Sequence, residues 1–455
     1  MSAAMFESTT KPPRKVLIVS PHWPPVNAPD LQRARISLSY YRQYGWEPVV
    51  LAVHAADVAG TLDPELESTY PADVRIVRCR ALPLRWTRRL GLRNLGLRAW
   101  WSLWRAGSRL LRSERFDLVF FSTTQFITFT LGPLWQRHSG VPYVIDIQDP
   151  WRTDYYERPG APPPPGGRKY LLARLLAFLF EARTYRRAAG FISVSERYLS
   201  DLARRYPWFQ GKSQTTIRFG VSTADFEYIR RHPPAGVQLV RQPGKIHLLY
   251  TGAAGPIMPH AVNMLFSGFQ YYRTIRPENA ARFRFHFIGT SYVPSGQGKP
   301  SVLPVAEKYG LTPWVEEVPH RIGYLVSLAL LLQADALILL GSSDLAYSPS
   351  KLYPYYLSGK PILGVVFENS YLEGLMRELG CSWLVTFSPT GSKDAVNQRL
   401  VAFFDHAAAG FPAGILPPRN DALFNRRYLA EPLTEAQCDL FAAALARKPP
   451  GRHRD

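Results

Sequence analysis

The feature that most restricts this chain is a series of short, almost wholly apolar runs, each followed by a helix-like stretch. The series opens at Lys15-Val-Leu-Ile-Val-Ser20 and opens again at Lys245-Ile-His-Leu-Leu-Tyr-Thr251. Strands covered on both faces read as continuous apolar runs, whereas half-exposed strands alternate. In the first series the pattern predicts further strands near residues 48–53, 74–79, 117–121, 143–147 and 190–194. Helices are expected over 31–44 (ended by Gly45), within 85–115, over 126–137 and 170–187, and from 196. The second series predicts a helix from 258 and strands near 283–288, 336–340, 361–366 and 383–385. Strand–helix alternation of this kind means an α/β fold with parallel sheets, here two Rossmann-like domains. Open parallel sheets bind ligands outside the C-terminal ends of their strands, so two such domains are expected to face one another across a cleft.

The expected organisation is a flexible tail over 1–14, a first domain over 15–230, a linker over 231–244 and a second domain over 245–420. A C-terminal helix over 421–447 is expected to cross back to the first domain. The 455-residue length suits two or three domains. Three widely spaced cysteines, Cys79, Cys381 and Cys438, exclude a disulfide framework and a zinc finger and suit a reducing cytoplasm. The most apolar stretch, 322–340, contains Gln333 and Asp335 and reads as a helix, a turn and a buried strand rather than a membrane span.

With 55 Lys+Arg against 35 Asp+Glu the chain carries a formal charge of +20, which favours anionic partners. Nucleic acid is not among the expected partners, because no zinc-finger, helix-turn-helix or RNA-recognition signature accompanies the charge. The basic residues concentrate between Arg85 and Arg115. There Arg98, Arg105, Arg109 and Arg112 share a helical arc beside Leu97, Trp100, Trp104 and Leu111. That pattern fits an anionic membrane surface, and it fits equally a core helix whose arginines face water.

Several segments in order are similar to the GT-B glycosyltransferases, particularly the retaining group called family 4. The strand Asp117-Leu-Val-Phe-Phe-Ser-Thr is followed by Gly140-Val-Pro-Tyr-Val-Ile-Asp-Ile-Gln-Asp-Pro-Trp151, which resembles a first-domain pattern ending in Asp-Pro-Trp. Arg187-Ala-Ala-Gly-Phe-Ile-Ser-Val-Ser195 resembles the strand closing that domain, and Arg218-Phe-Gly-Val-Ser222 the family's Asn-Gly-Val-Asp turn. In the second half, Tyr250-Thr-Gly252, Phe287-Ile-Gly289 and Gln333-Ala-Asp-Ala-Leu-Ile-Leu-Leu340 match the family's turns and Ala-Asp strand. The most specific stretch is Ser348-Pro-Ser-Lys-Leu-Tyr-Pro-Tyr-Tyr-Leu-Ser-Gly-Lys-Pro361, which resembles the donor-site helix ending in Ala-Gly-Lys-Pro.

The resemblance implies transfer of a hexosyl group from a nucleotide-sugar to a glycan or lipid-linked acceptor, in polysaccharide or glycoconjugate synthesis. It implies a metal-independent, retaining reaction, with the nucleotide-sugar as co-substrate and no other cofactor. Donor-binding candidates are Gly252, Gly255, Arg218, Ser348, Ser350 and Lys351: a diphosphate needs amide donors, a helix N-terminus and positive charge. Asp149, after a strand end, is the candidate to contact or deprotonate the acceptor hydroxyl. His22 and Asn27, in the first strand-to-helix loop, are candidate acceptor contacts, and Asp146 is expected to point into the sheet. The loop 158–168 reads either as an acceptor lid or as a surface insertion.

One departure separates the chain from the family. Two glutamates eight positions apart normally contact the sugar and the ribose; here Ala346 and Pro354 occupy those places. Proline cannot accept ribose hydroxyl bonds. A second reading therefore stands beside the first, a catalytically inactive GT-B-like binding or scaffold protein. The expected location is cytoplasmic, extending to the inner face of the membrane.

Overall fold

The structure is a computed structural model, and it describes residues 12–89, 92–153, 168–236, 238–254, 258–291, 298–342, 350–388, 390–412 and 418–447. Backbone contacts divide the chain into two units. The first comprises Met1–Ala59, Tyr70–Arg218 and Leu433–Asp455; the second comprises Gly60–Thr69 and Phe219–Pro432.

The first unit is built on a seven-stranded sheet of β1 (Arg14–Val19), β2 (Trp46–Val53), β3 (Arg75–Cys79), β4 (Leu118–Ser122), β5 (Tyr143–Ile147), β6 (Gly190–Ser193) and β7 (Ser213–Thr216). Every pairing is parallel, in the order β3-β2-β1-β4-β5-β6-β7. Alternate residues of the apolar runs feed opposite faces of the sheet. Leu17, Val19 and Leu51 join a cluster with Leu103, Leu110 and Trp135, while Val16, Ile18 and Val50 join one with Trp23, Leu31 and Phe441. A helix-covered sheet buries both faces, which is why its strands are apolar throughout.

The second unit holds β8 (Ile246–Thr251), β9 (Phe283–Ile288), β10 (Val315–Val318), β11 (Ala336–Leu340), β12 (Ile362–Phe367) and β13 (Trp383–Phe387). Their order is β10-β9-β8-β11-β12-β13, again parallel throughout. Leu248 and Tyr250 face the helices Pro259–Ile275 and Lys393–Ala408, whereas Leu249, Leu337 and Leu339 face the other cluster. The fold class read from the sequence, two parallel-sheet α/β units, is the observed one.

Two edge strands carry no apolar run. β7 reads Ser-Gln-Thr-Thr and β10 reads Val-Glu-Glu-Val; each ends its sheet. An edge strand buries less side-chain surface, so its hydrophobic signal is weak. The stretch expected as one helix over 31–44 is broken into the turns Pro29–Leu31 and Tyr41–Tyr44 around the short helix Gln32–Ser37, and Gly45 ends it in the left-handed region (φ 74°). The stretch 322–340 forms the helix Tyr324–Gln333 and then β11. Among the described residues no helix is long and apolar enough to cross a membrane.

The segment Gly60–Thr69 joins the second unit through its own chemistry. Asp63 Oδ2 accepts a 2.7 Å bond from the Tyr324 amide, capping the helix Tyr324–Gln333, and Leu66 is fully buried in that unit's core. The final helix, Ala430–Ala446, gives its residues from Leu433 onward to the first unit. Phe441 lies 4.9 Å from Phe120, 5.3 Å from Trp46 and 6.2 Å from Tyr41, and Gln437 exchanges hydrogen bonds with Tyr41 and Ser37. Burying such a ring contributes about 2–3 kcal/mol.

The basic helix, Leu95–Ser113, corrects part of the charge reading. Arg98 is only 4% exposed, and its guanidinium donates to the carbonyls of Asp57 and Leu82. It is therefore absent from the exposed arc, which keeps Arg105, Arg109 and Arg112. Trp100 faces inward and donates to Thr130 Oγ1 at 2.8 Å.

Candidate functional site

In an open parallel sheet the strand order reverses at one point, and the strand ends there leave room for a ligand. That point lies between β1 and β4 in the first unit and between β8 and β11 in the second. Polar side chains gather at both.

In the first unit, β1 runs out into a loop carrying His22, and the following turn brings back Asp30, which is 2% exposed. The two meet: His22 Nδ1 lies 2.9 Å from Asp30 Oδ1 and 3.1 Å from Oδ2. Oδ2 also accepts from Thr123 Oγ1 (2.9 Å), the Thr124 amide (3.1 Å) and Thr124 Oγ1 (3.1 Å), all just past the end of β4. Burial alone would raise the Asp30 carboxyl, but the bond and charge of His22 and the donors of Thr124 and Thr123 hold it below its ordinary value. An ionised carboxylate only accepts, so His22 Nδ1 carries a hydrogen; whenever the ring is neutral, that tautomer leaves the lone pair on Nε2. The imidazole remains 17% exposed.

The floor beneath this pair is a second polar layer. Asp146, fully buried in β5, has Oδ2 2.8 Å from Arg33 Nε, 3.0 Å from Ser122 Oγ and 2.9 Å from Gln148 Nε2. Gln148 also donates to the Asp30 carbonyl at 3.0 Å, which ties the two layers together. Asp146 thus points into the sheet and serves as a brace.

Asp149 follows β5 at the same sheet edge, exposed to solvent. Although the side chain has an open surface, the protein packed around it takes much of its hydration, and this desolvation, followed by the negative charge of Asp30, pushes its carboxyl up to about 6. A carboxyl poised there accepts a proton near neutral pH more readily than an ordinary aspartate. Asn27 is buried, at 7% exposure, within the first loop. Arg218 ends the segment Tyr70–Arg218 of the first unit; its Nη1 donates to the Val194 carbonyl at 3.4 Å, Nη2 lies 3.7 Å from Glu196, and its own carbonyl accepts from Arg33.

In the second unit, Lys351 stands against the C-terminal end of β8. Its Nζ donates to the Ala253 carbonyl at 3.2 Å and lies 5.2 Å from the centre of the Tyr250 ring. Burial pushes the ammonium down to about 8. Tyr355, one turn on, receives the Thr251 amide on its hydroxyl at 2.8 Å, and Ser327 donates to Thr251 Oγ1 at 3.2 Å. Gly252 makes this approach feasible: its φ is 95°, and a Cβ there would lie 2.6 Å from Lys351 Cε. Its amide donates to the Ile288 carbonyl at 2.8 Å and that of Ala254 to Thr290 at 3.1 Å, so this turn's contribution is space for the lysine. Ser350 is exposed, and the helix after it, Leu352–Leu357, includes Pro354. Gly255, Ser348, Ala346 and the loop 158–168 lie outside the described residues, apart from the helix start at Arg168. Among the described residues no group of three or more His, Cys, Asp or Glu side chains could hold a metal ion.

Sequence reasoning therefore singled out His22, Asp149 and Lys351, and missed Asp30, Thr123 and Thr124. The only signal for Asp30 was a carboxylate eight residues after His22 within a turn-rich loop; the threonines come from a strand end more than ninety residues away.

Against known proteins, residues 34–212 match the family model of the glycosyl transferase 4-like domain. A search of curated proteins gives no match. Among solved structures, the trehalose-6-phosphate phosphatase N-terminal domain of Candida albicans is similar, with a TM-score of 0.54 at 14% identity, covering 96% of this chain and 99% of that one. The alpha,alpha-trehalose 6-phosphate synthase of Burkholderia multivorans gives 0.54 at 12% identity, covering 95% and 99%. A trehalose-6-phosphate structure from E. coli, bound with UDP-2-fluoro glucose, gives 0.52 at 12% identity, covering 96% and 100%. At such identities the likeness concerns the fold.

Proposed function

We propose, for a chain that has the GT-B fold and carries a glycosyl transferase 4-like domain over residues 34–212, that it moves a sugar from a nucleotide-sugar to a glycan or lipid-linked acceptor. The observation that carries this reading is the His22–Asp30 pair beside Asp149, at the strand ends where a parallel sheet receives its ligand. Sugar transfer needs a group to take the acceptor hydroxyl proton as the new glycosidic bond forms, and a group to meet the charge of the departing diphosphate.

In this proposal the first unit receives the acceptor. The Nε2 lone pair of His22, held toward the ligand by Asp30 at Nδ1, takes the proton, and Asp149 accepts a hydrogen bond from the same or a neighbouring hydroxyl. The second unit receives the donor. Lys351 offers a single positive charge beside β8; a structure of similar fold is bound with UDP-2-fluoro glucose, which supports a nucleotide-sugar as the ligand. Because Pro354 cannot bond ribose hydroxyls, another residue of this unit makes that contact. Retention of the anomeric configuration, independence of metal and a role in polysaccharide or glycoconjugate synthesis belong to the same proposal, as does a place in the cytoplasm, at the inner membrane face when the acceptor is lipid-linked. Arg218 and Asn27 are assigned supporting contacts to donor and acceptor.

The test is release of nucleoside diphosphate from a panel of nucleotide-sugars, with acceptors supplied as a cell extract. Asp149→Asn should lower turnover at least tenfold while donor affinity stays within about twofold. Unchanged turnover would remove Asp149 from the chemistry.

A further inference from the structure

The helix Arg168–Arg187 is apolar on two faces. One is buried in the first unit: Ala177, Glu181, Thr184 and Tyr185 are each at most 2% exposed. The other is open. Leu171 (60%), Leu172 (43%), Leu175 (53%), Phe178 (65%) and Leu179 (52%) are exposed. Spaced i, i+1, i+4, i+7 and i+8, they fall within an arc of about 120°, on the side away from the buried residues. No other helix of the described residues presents such a row of large apolar side chains to solvent. Leaving it in water is costly, so the row needs an occupant.

The charge around the row says what that occupant is. The helix carries six basic residues against the single acid Glu181, and Glu181 is buried with Arg205 3.1 Å from its carboxylate. Arg183 borders the open face, and Arg186 continues its line two turns beyond Leu179; both are exposed. Arg152 lies 5.4 Å from the Phe178 ring, adding a cation at the rim. A second copy of this chain would set arginine against arginine. An anionic bilayer answers both properties at once: apolar side chains enter the acyl boundary and arginines meet the headgroup charge.

We propose that this helix lies flat on an anionic membrane surface and docks the first unit there, through Leu171, Leu172, Leu175, Phe178 and Leu179 with an arginine rim. The docking needs nothing from the sugar-transfer reading, and its test does not measure turnover. The 455-residue chain is sedimented with vesicles of phosphatidylcholine alone and with vesicles of phosphatidylcholine and phosphatidylserine, whose surface is anionic. The expected result is binding that is at least about tenfold stronger to the anionic vesicles and falls as salt rises. Leu175→Glu/Phe178→Glu should remove it, again about tenfold or more, with an unchanged melting temperature because both side chains are already in solvent. Arg183→Glu/Arg186→Glu should weaken anionic binding while leaving the weak neutral-vesicle binding in place. Wild-type protein that ignores anionic vesicles overturns the proposal, as does a glutamate pair that binds like wild type. Light scattering showing a dimer that the glutamate pair splits, without vesicle binding, would assign the face to a protein partner instead.

Discussion

Replacing Asp30 by asparagine separates the catalytic role proposed for His22 from its place in the fold. The two carboxylate oxygens are used differently: Oδ2 takes the Thr123 hydroxyl and both Thr124 donors and lies 3.1 Å from His22 Nδ1, whereas Oδ1 has His22 Nδ1 as its one partner, closer at 2.9 Å. Asparagine with its oxygen at the Oδ2 position keeps the three threonine bonds and turns its NH2 toward His22. The imidazole then accepts at Nδ1, and its hydrogen moves to Nε2. No partner is lost, but four charge-assisted bonds become neutral ones, each weaker by about 0.5–1 kcal/mol. The removed cost of burying a carboxylate offsets part of this, leaving a net loss of about 1–2 kcal/mol. For a unit of some two hundred residues that is a fall in melting temperature of about 2–8 °C. Catalysis should suffer far more, because Nε2 can no longer take a proton. The expected loss in turnover is about a hundredfold to ten-thousandfold, or about 3–5 kcal/mol of barrier. Nucleoside diphosphate release, read beside a thermal melt, measures both. A folded Asp30→Asn protein with wild-type turnover would refute the assignment of His22 as the base.

Two further outcomes follow from other parts of the structure. Gly252→Ala forces a side chain into a left-handed backbone and against Lys351 Cε; it should cost about 1–2 kcal/mol of stability and reduce donor affinity, and calorimetry showing unaltered affinity would detach the lysine from the donor. In the second unit, His247 Nδ1 lies 2.9 Å from His286 Nε2, His286 Nδ1 lies 2.8 Å from Glu316, and the Gln242 amide donates to His247 Nε2, with Asp335, Arg241 and Arg284 as the nearby charges. Burial, foremost, lowers both histidines, so the folded state refuses protons that the unfolded chain takes up below about pH 6.5. Stability should therefore be full above that pH and fall below it, by up to about 1.4 kcal/mol per histidine per pH unit until the folded histidines titrate. A His247→Leu/His286→Leu protein should show a shallower acid slope in melts from pH 7.5 to 5.5, and an identical slope would contradict the coupling.

What the sequence made legible follows from how local each signal is. β5, β9 and β11 have the predicted bounds: β11 writes itself as the unbroken run Ala-Leu-Ile-Leu-Leu of a strand covered on both faces, β5 as such a run interrupted by Asp146, and β9 as phenylalanines alternating with Arg284 and His286 before Ile288. The edge strands β7 and β10 wrote nothing of the kind. His22, Asp149 and Lys351 were visible as residues next to strand ends. Asp30 acquires its role only through Thr123 and Thr124, and Arg33 only through Asp146, pairings that the tertiary fold creates. Arg98 misled for a related reason: a helical wheel places it with the exposed arginines, but the carbonyls of Asp57 and Leu82, far away in sequence, draw it inward. The open apolar row on the helix Arg168–Arg187 was also hidden, since a helix with apolar residues on two faces does not say in its sequence which face the fold covers.

In the proposed reaction the second unit holds a nucleotide-sugar through Lys351. Isothermal titration of the full chain with nucleoside diphosphates and their sugars tests it directly. Saturable binding of at least one is expected, weakened about tenfold or more by Lys351→Ala with the melting temperature of the unliganded protein preserved. Binding of none of them, or binding that Lys351→Ala leaves intact, would contradict it.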